Sequence, residues 1–172
     1  MCGPSGPEET MKTAVVYYSL TGNTQAAAEV IAGRLSADLV RIETIKPYPA
    51  KGFAKFYHGG KSAVFQETPA LKPYDFNVAK YDLIILGFPI WAANLTPPIR
   101  SFVKENDLSG KKVAAFVCQS GDGGQKALRK LREVLPDRKL ECEVILIDPK
   151  DHPDEHNDIL MAAFCERLLS LD

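Results

Sequence analysis

The residues Ser19-Leu20-Thr21-Gly22-Asn23-Thr24 offer hydroxyls from Ser19, Thr21 and Thr24, an amide from Asn23 and a run of backbone N–H groups. An apolar run at 13–18 precedes them, and Ala27, Val30, Ile31 and Leu35 recur after them at three- and four-residue steps, as on one face of a helix. A strand–loop–helix of this composition suits an anion. Each polar group can donate to a phosphate oxygen, Gly22 permits a tight path, and the helix N-terminus adds about half a positive charge. Hydrogen bonds to a charged acceptor are worth about 1.5–3 kcal/mol each. No Lys or Arg lies between Ser19 and Thr24, so a single phosphomonoester on neutral donors fits better than a triphosphate, which brings Lys and a metal. A helix-capping loop uses the same residue types; the place of this one, directly after a buried strand, favours the anion.

Other constellations break down. Gly59-Gly60-Lys61-Ser62 has Lys55 where a nucleotide phosphate loop needs its first glycine. Gly121-Asp122-Gly123-Gly124-Gln125-Lys126 has Lys126 where a dinucleotide fingerprint needs its third. His152 and His156 flank Pro153 in an acidic helix start, which reads as a solvated entry and not a metal pair. Cys2, Cys118, Cys142 and Cys165 form no Cys-x-x-Cys pair and read as reduced thiols of a cytoplasmic protein.

These groups need a scaffold, and the chain is long enough for one. It has 172 residues, 45% hydrophobic and 25% charged, with a formal net charge of −1, which suits one domain and gives no reason to expect nucleic acid or a membrane as partner. Residues 1–10 read as a disordered tail without a secretory signal, and 11–172 as the domain. Runs at 13–18, 83–88 and 113–118 are nearly continuous in apolar residues, as in strands covered on both faces. Residues 38–44 alternate, and 141–148 open on acids; both suit edge strands. Helices are expected after the first strand, over 97–104 with Thr96 as N-cap, along Ala127, Leu128, Leu131, Val134 and Leu135, and from about Asp154 with Ile159, Leu160, Ala163, Phe164, Leu168 and Leu171 inward. Residues 46–80 are rich in Pro and Gly, with a poor helix expected over 54–65. Strand–helix alternation of this kind is a doubly wound parallel α/β sheet.

With these elements in place, Ser19-Leu20-Thr21-Gly22-Asn23-Thr24 resembles the FMN phosphate loop of the flavodoxin family, Ser/Thr-x-Thr-Gly-x-Thr. Gly87-Phe88-Pro89-Ile90-Trp91 after the third strand and Gln119-Ser120-Gly121-Asp122-Gly123-Gly124 after the fourth agree in order. The resemblance implies five parallel strands in the order 2-1-3-4-5 within three αβα layers, of the short-chain class. It implies FMN, with its phosphate on Ser19, Leu20, Thr21, Gly22, Asn23 and Thr24. The isoalloxazine would lie between Pro89, Ile90, Trp91, Ala92 and Asn94 on one side and Ser120, Gly121, Asp122, Gly123 and Gly124 on the other. Trp91, the only tryptophan, would stack on the ring; the plainer alternative is a Trp packed on a helix.

Three departures from the family shape the expected function. Of the three loops' residues only Asp122 is charged, so docking to a basic protein would be weak. The family often places a glycine beside the flavin N5, where a peptide flips on reduction; here Ala92, Ala93 and Asn94 follow Trp91, and a left-handed turn costs Ala about 1–2 kcal/mol. The fourth-strand loop has no aromatic to cover the other face of the ring. The expectation is an FMN electron-transfer protein or oxidoreductase, monomer or homodimer, serving a redox partner protein or a small acceptor such as a quinone. One alternative is an FMN-dependent NAD(P)H:quinone or nitro-compound reductase. Another is a non-redox binding module that has lost its flavin.

Overall fold

Successive side chains of a strand point to opposite faces of its sheet, so a strand apolar at every interior position needs cover on both. Three strands are of this kind in the computed structural model, which describes residues 10–171, with 52–57 by backbone alone. Cys2 and most of the expected tail lie outside the described residues. In β1 (Thr13–Tyr17), Ala14 and Val16 face one core and Val15 and Tyr17 the other. Strand β3 (Leu83–Pro89) divides the same way, with Ile84, Leu86 and Phe88 opposite Leu83 and Ile85. In β4 (Lys112–Gln119), Val113, Ala115 and Val117 lie opposite Ala114, Phe116 and Cys118.

The edges are β2 (Asp38–Arg41) and β5 (Glu143–Ile147), and the order is β2-β1-β3-β4-β5, every pair parallel. Helices α1 (Asn23–Leu35) and α5 (Glu155–Leu169) cover one face, while α3 (Pro97–Glu105) and α4 (Gly124–Val134) cover the other. A further helix, α2 (Gly52–Val64), occupies the Pro/Gly-rich stretch where a poor helix was expected. Large side chains such as Phe88, Phe102 and Phe116 are wholly buried, each worth about 1.5–3 kcal/mol.

Several local expectations shift. The alternating run at 38–44 is a strand only to Arg41; beyond it Thr44 pairs antiparallel with Leu71, with Ile45 N–H on Ala70 O and Lys72 N–H on Glu43 O. That short ladder covers part of an otherwise open edge. Thr96 occupies the N-cap of α3, but its hydroxyl donates to the Pro89 carbonyl and leaves the helix uncapped by a side chain. Asp154 does cap α5, accepting from Asn157 N–H at 2.7 Å. The buried face of α5 is Asn157, Met161, Phe164, Cys165 and Leu168; Ile159 and Ala163 turn outward, because they stand two positions before Met161 and one before Phe164, and only residues three or four apart share a helix face.

Candidate functional site

Parallel strands deliver their loops to one end of a sheet, and helix N-termini gather there. At the carboxyl ends of β1, β3 and β4 lies a cleft of about 390 Å³, within the size range of small-molecule sites. Of the sequence-derived candidates, Ser19, Leu20, Thr21, Asn23, Thr24, Pro89, Ile90, Trp91, Ala92, Ser120 and Gly121 line it. Gly22, Asn94, Asp122, Gly123 and Gly124 belong to the same three loops but lie outside that lining. Gly60, Cys118 and Asp148 line it as well, unmarked by the loop motifs, and so does Gln119, the first residue of the third motif.

The first loop turns through Gly22 at φ 101°. The Ser19 hydroxyl oxygen accepts from the N–H groups of Gly22 and Gln25, both at 3.2 Å, which holds the loop against the start of α1. The N–H groups of Thr21, Asn23 and Thr24 make no hydrogen bond among the described residues. Unpaired donors at a helix start are the groups an anion satisfies. The Asn23 side chain is engaged elsewhere. Its Oδ1 accepts from the N–H of Lys150 at 2.8 Å and of Asp151 at 3.1 Å, while its Nδ2 donates to Asp151 Oδ2 at 2.7 Å. Asn23 therefore offers the anion its backbone and uses its amide to fasten the loop after β5. That Asn23 bond, helped by Lys150, holds the Asp151 carboxyl below its ordinary value.

This fourth loop was not foreseen as part of the site. Lys150 extends over the first loop, its Nζ donating to Thr21 O at 3.2 Å. Asp148 accepts from the Ser120 hydroxyl at 2.6 Å and donates its N–H to Gln119 O at 3.1 Å. The charged residue that lines the cleft, Asp148, thus comes from a segment distant in sequence, and Lys150 of the same segment stands just outside the lining. Asp122, the charge expected there, is exposed and lies outside the lining.

The second loop is a tight turn. Asn94 N–H donates to Trp91 O at 2.9 Å, and Asn94 Nδ2 to Ala92 O at 2.8 Å. Ala92 and Ala93 both have positive φ, 49° and 55°, a two-residue arrangement normally given to Asn and Gly. The left-handed conformation is thus already adopted, by alanine. Ala92→Gly should raise stability by about 0.5–1 kcal/mol, because relief of about 1–2 kcal/mol exceeds the added unfolded-state entropy of glycine. Urea denaturation checks this; a lower midpoint would show that the turn is not left-handed in solution.

The Trp91 indole is half-buried. Tyr18 meets it edge-on at 5.6 Å, Tyr48 at 4.9 Å, and its six-membered ring lies against Gly59 of α2. Packing on a helix and walling the cleft are both true of it: α2 holds the indole in place, and the indole still lines the cavity. The third loop is closed by Gly124 N–H donating to Gln119 Oε1 at 2.9 Å. Ser120, Gly121 and Asp122 are exposed. Beneath the loops lies the Cys118 thiol; burial pushes its pKa up to about 12, so it stays protonated at neutral pH.

The donor set fits a phosphomonoester, and the cavity beyond it fits a flat ring system along Trp91. Among the described residues no cluster of His, Cys, Asp and Glu could hold a metal ion.

Comparison with known proteins agrees with this architecture. A family model described as flavodoxin matches residues 12–154. The chain is similar to a candidate flavoprotein from Bacteroides uniformis, at 24% identity over 90% of this chain and 98% of that one, with a TM-score of 0.74. It is similar to a flavoprotein from Lactobacillus acidophilus solved in complex with FMN, at 20% identity over 82% and 95%, TM-score 0.68. It is also similar to Megasphaera elsdenii flavodoxin, at 19% identity over 92% and 99%, TM-score 0.54.

Proposed function

This chain belongs to the flavodoxin family, and from that premise we propose that residues 11–172 form a domain that holds FMN non-covalently and passes electrons between a donor and an acceptor. The observation that carries this reading is the set of unpartnered N–H groups of Thr21, Asn23 and Thr24 at one end of a cleft walled by Trp91. Those donors, with the Thr21 and Thr24 hydroxyls, receive the phosphate, and Gly22 sets the turn that brings them together. Leu20, Pro89, Ile90, Trp91 and Ala92 present mostly apolar surface to the ring and exclude water from it. Ser120 and Gly121 line the opposite side, where Asp122, Gly123 and Gly124 set the path of the loop, and Asn94 keeps the turn beneath Trp91 closed. When bound, FMN supplies reversible one- or two-electron chemistry that no side chain of the protein supplies. The neutral Cys118 thiol adds no competing charge or nucleophile to the cavity floor.

A second reading is favoured by one feature. The flank formed by Ser120, Gly121 and Asp122 is exposed and carries no aromatic, which leaves room for a flat acceptor beside the ring. An FMN-dependent NAD(P)H:quinone or nitro-compound reductase fits that open side better than a carrier that docks a large protein partner. The free, buried Cys118, Cys142 and Cys165 support a reducing, cytoplasmic setting for either role, in a monomer or homodimer. Among the described residues no helix is long and apolar enough to cross a membrane.

Titration of the purified apoprotein with FMN, followed by flavin fluorescence and the visible spectrum, should show saturable uptake at one equivalent. Oxidation of NAD(P)H with a quinone as acceptor should then proceed without an added protein reductase. Failure to take up FMN would overturn the first reading. Uptake with no NAD(P)H oxidation would return the protein to the carrier role.

A further inference from the structure

The first loop contains no cation, yet the fold brings one to it. Lys150 follows the end of β5, and its backbone is fixed to the first turn of α1 by the Asn23 amide, which accepts the N–H groups of both Lys150 and Asp151. From that anchor the side chain lies along Gly22: a Cβ built on Gly22 would stand 3.1 Å from Lys150 Cδ and 3.3 Å from both Cε and Nζ. The ammonium ends 3.2 Å from Thr21 O, next to the loop whose Thr21, Asn23 and Thr24 N–H groups are unpaired. Two further bonds hold the segment: Asn23 Nδ2 donates to Asp151 Oδ2, and His152 N–H to Asp148 O at 2.7 Å. The one carboxylate paired with Nζ is Asp151, at 3.4 Å, the longest of the ion pairs among the described residues.

We propose that Lys150 is a specificity-determining residue of the cofactor site, recognising the phosphate charge of the flavin nucleotide from across the loop at Gly22. The proposal rests on the FMN reading and deepens it. Neutral N–H donors satisfy phosphate oxygens but leave the second negative charge to the helix dipole alone. An ammonium held beside them favours the dianion, and it does nothing for a flavin without a phosphate. Its side chain is 52% exposed, so solvent screens the attraction and the effect is moderate and salt-dependent. A merely structural clip, holding the first loop shut through Thr21 O, would act equally on flavins with and without phosphate.

The experiment compares the affinities of apoprotein for FMN and for riboflavin, in wild type, Lys150→Met and Lys150→Arg, at low and high salt. Flavin fluorescence reports binding, and thermal denaturation of each apoprotein reports folding. Lys150→Met should weaken FMN about 3- to 10-fold, leave riboflavin within about twofold and flatten the salt dependence. Lys150→Arg should restore FMN affinity to within about twofold of wild type. Equal losses for FMN and riboflavin, or an unchanged FMN affinity in Lys150→Met, would overturn the assignment. Wild-type apoprotein that takes up neither flavin would instead defeat the FMN reading itself, and that result is visible before any substitution is made.

Discussion

Gly87→Ala should destabilise the protein by about 2–2.6 kcal/mol, although it adds a single methyl group to an apolar strand. Gly87 lies in β3 between Tyr17 of β1 and Phe116 of β4, its register partners. The far end of the Phe116 ring covers the space above it. A Cβ there would stand 2.1 Å from Cζ, 2.5 Å from Cε1 and 2.8 Å from Cε2. Phe116 is wholly buried in the core shared with α1 and α5, so the ring cannot swing into solvent and must push its neighbours. Overpacking of this kind costs about 1–3 kcal/mol, with its upper end expected at so short a contact. The lower unfolded-state entropy of alanine returns about 0.4–1 kcal/mol. In urea the midpoint should fall with an unchanged slope. Shortening the ring should remove the conflict: in a Phe116→Leu background the same glycine substitution should cost less than half as much. Additive penalties for the pair would mean that the ring is not what the methyl meets.

That glycine illustrates what the amino-acid order reveals and what it conceals. Strands β1, β3 and β4 are legible because a residue buried on either face must be apolar, and no polar position breaks the run. The phosphate loop is legible for a similar reason, since its donors are contiguous and lie at a strand end. Lys150 is not, because it reaches Gly22 only after the sheet has set β5 beside β4 and Asn23 has fastened the following loop to α1. Its one signal was a place just past the last strand, where the topology sends every loop to the same end. The Asn23 amide was legible as a donor, but its actual partners lie on that same distant segment. Thr96 has the residue type of a cap, yet its hydroxyl reaches Pro89 because β3 and α3 are joined by a turn that folds back on itself. The conformation of Ala92 and Ala93 was hidden, since nothing in an alanine pair announces positive φ. The turn is imposed by its surroundings: Asn94 closes it from one side and the third loop abuts it from the other.

Gly123→Ala tests that contact between the second and third loops, and it should cost about 3 kcal/mol of stability and about tenfold in FMN affinity. Gly123 precedes α4 with φ 97° and ψ −2°, where a Cβ alone costs about 1–2 kcal/mol. The added carbon would also stand 2.5 Å from Ala93 Cβ and 2.8 Å from Ala93 Cα. The second of these is backbone, so no rotamer change relieves it, and one loop must retreat from the other. Apoprotein relieves the collision by separating the loops. The proposed flavin site needs Trp91 and Ser120 at their present spacing, so binding must restore the collision, and about 1.4 kcal/mol of it corresponds to a tenfold rise in Kd. An Ala93→Gly background separates the two contributions. It removes the Cβ contact but not the backbone angle, so it should recover most of the FMN affinity and less of the stability, measured by flavin titration and urea denaturation of the same four proteins. An equal loss of FMN affinity in both backgrounds would show that the third loop acts on the flavin without leaning on the turn beneath Trp91.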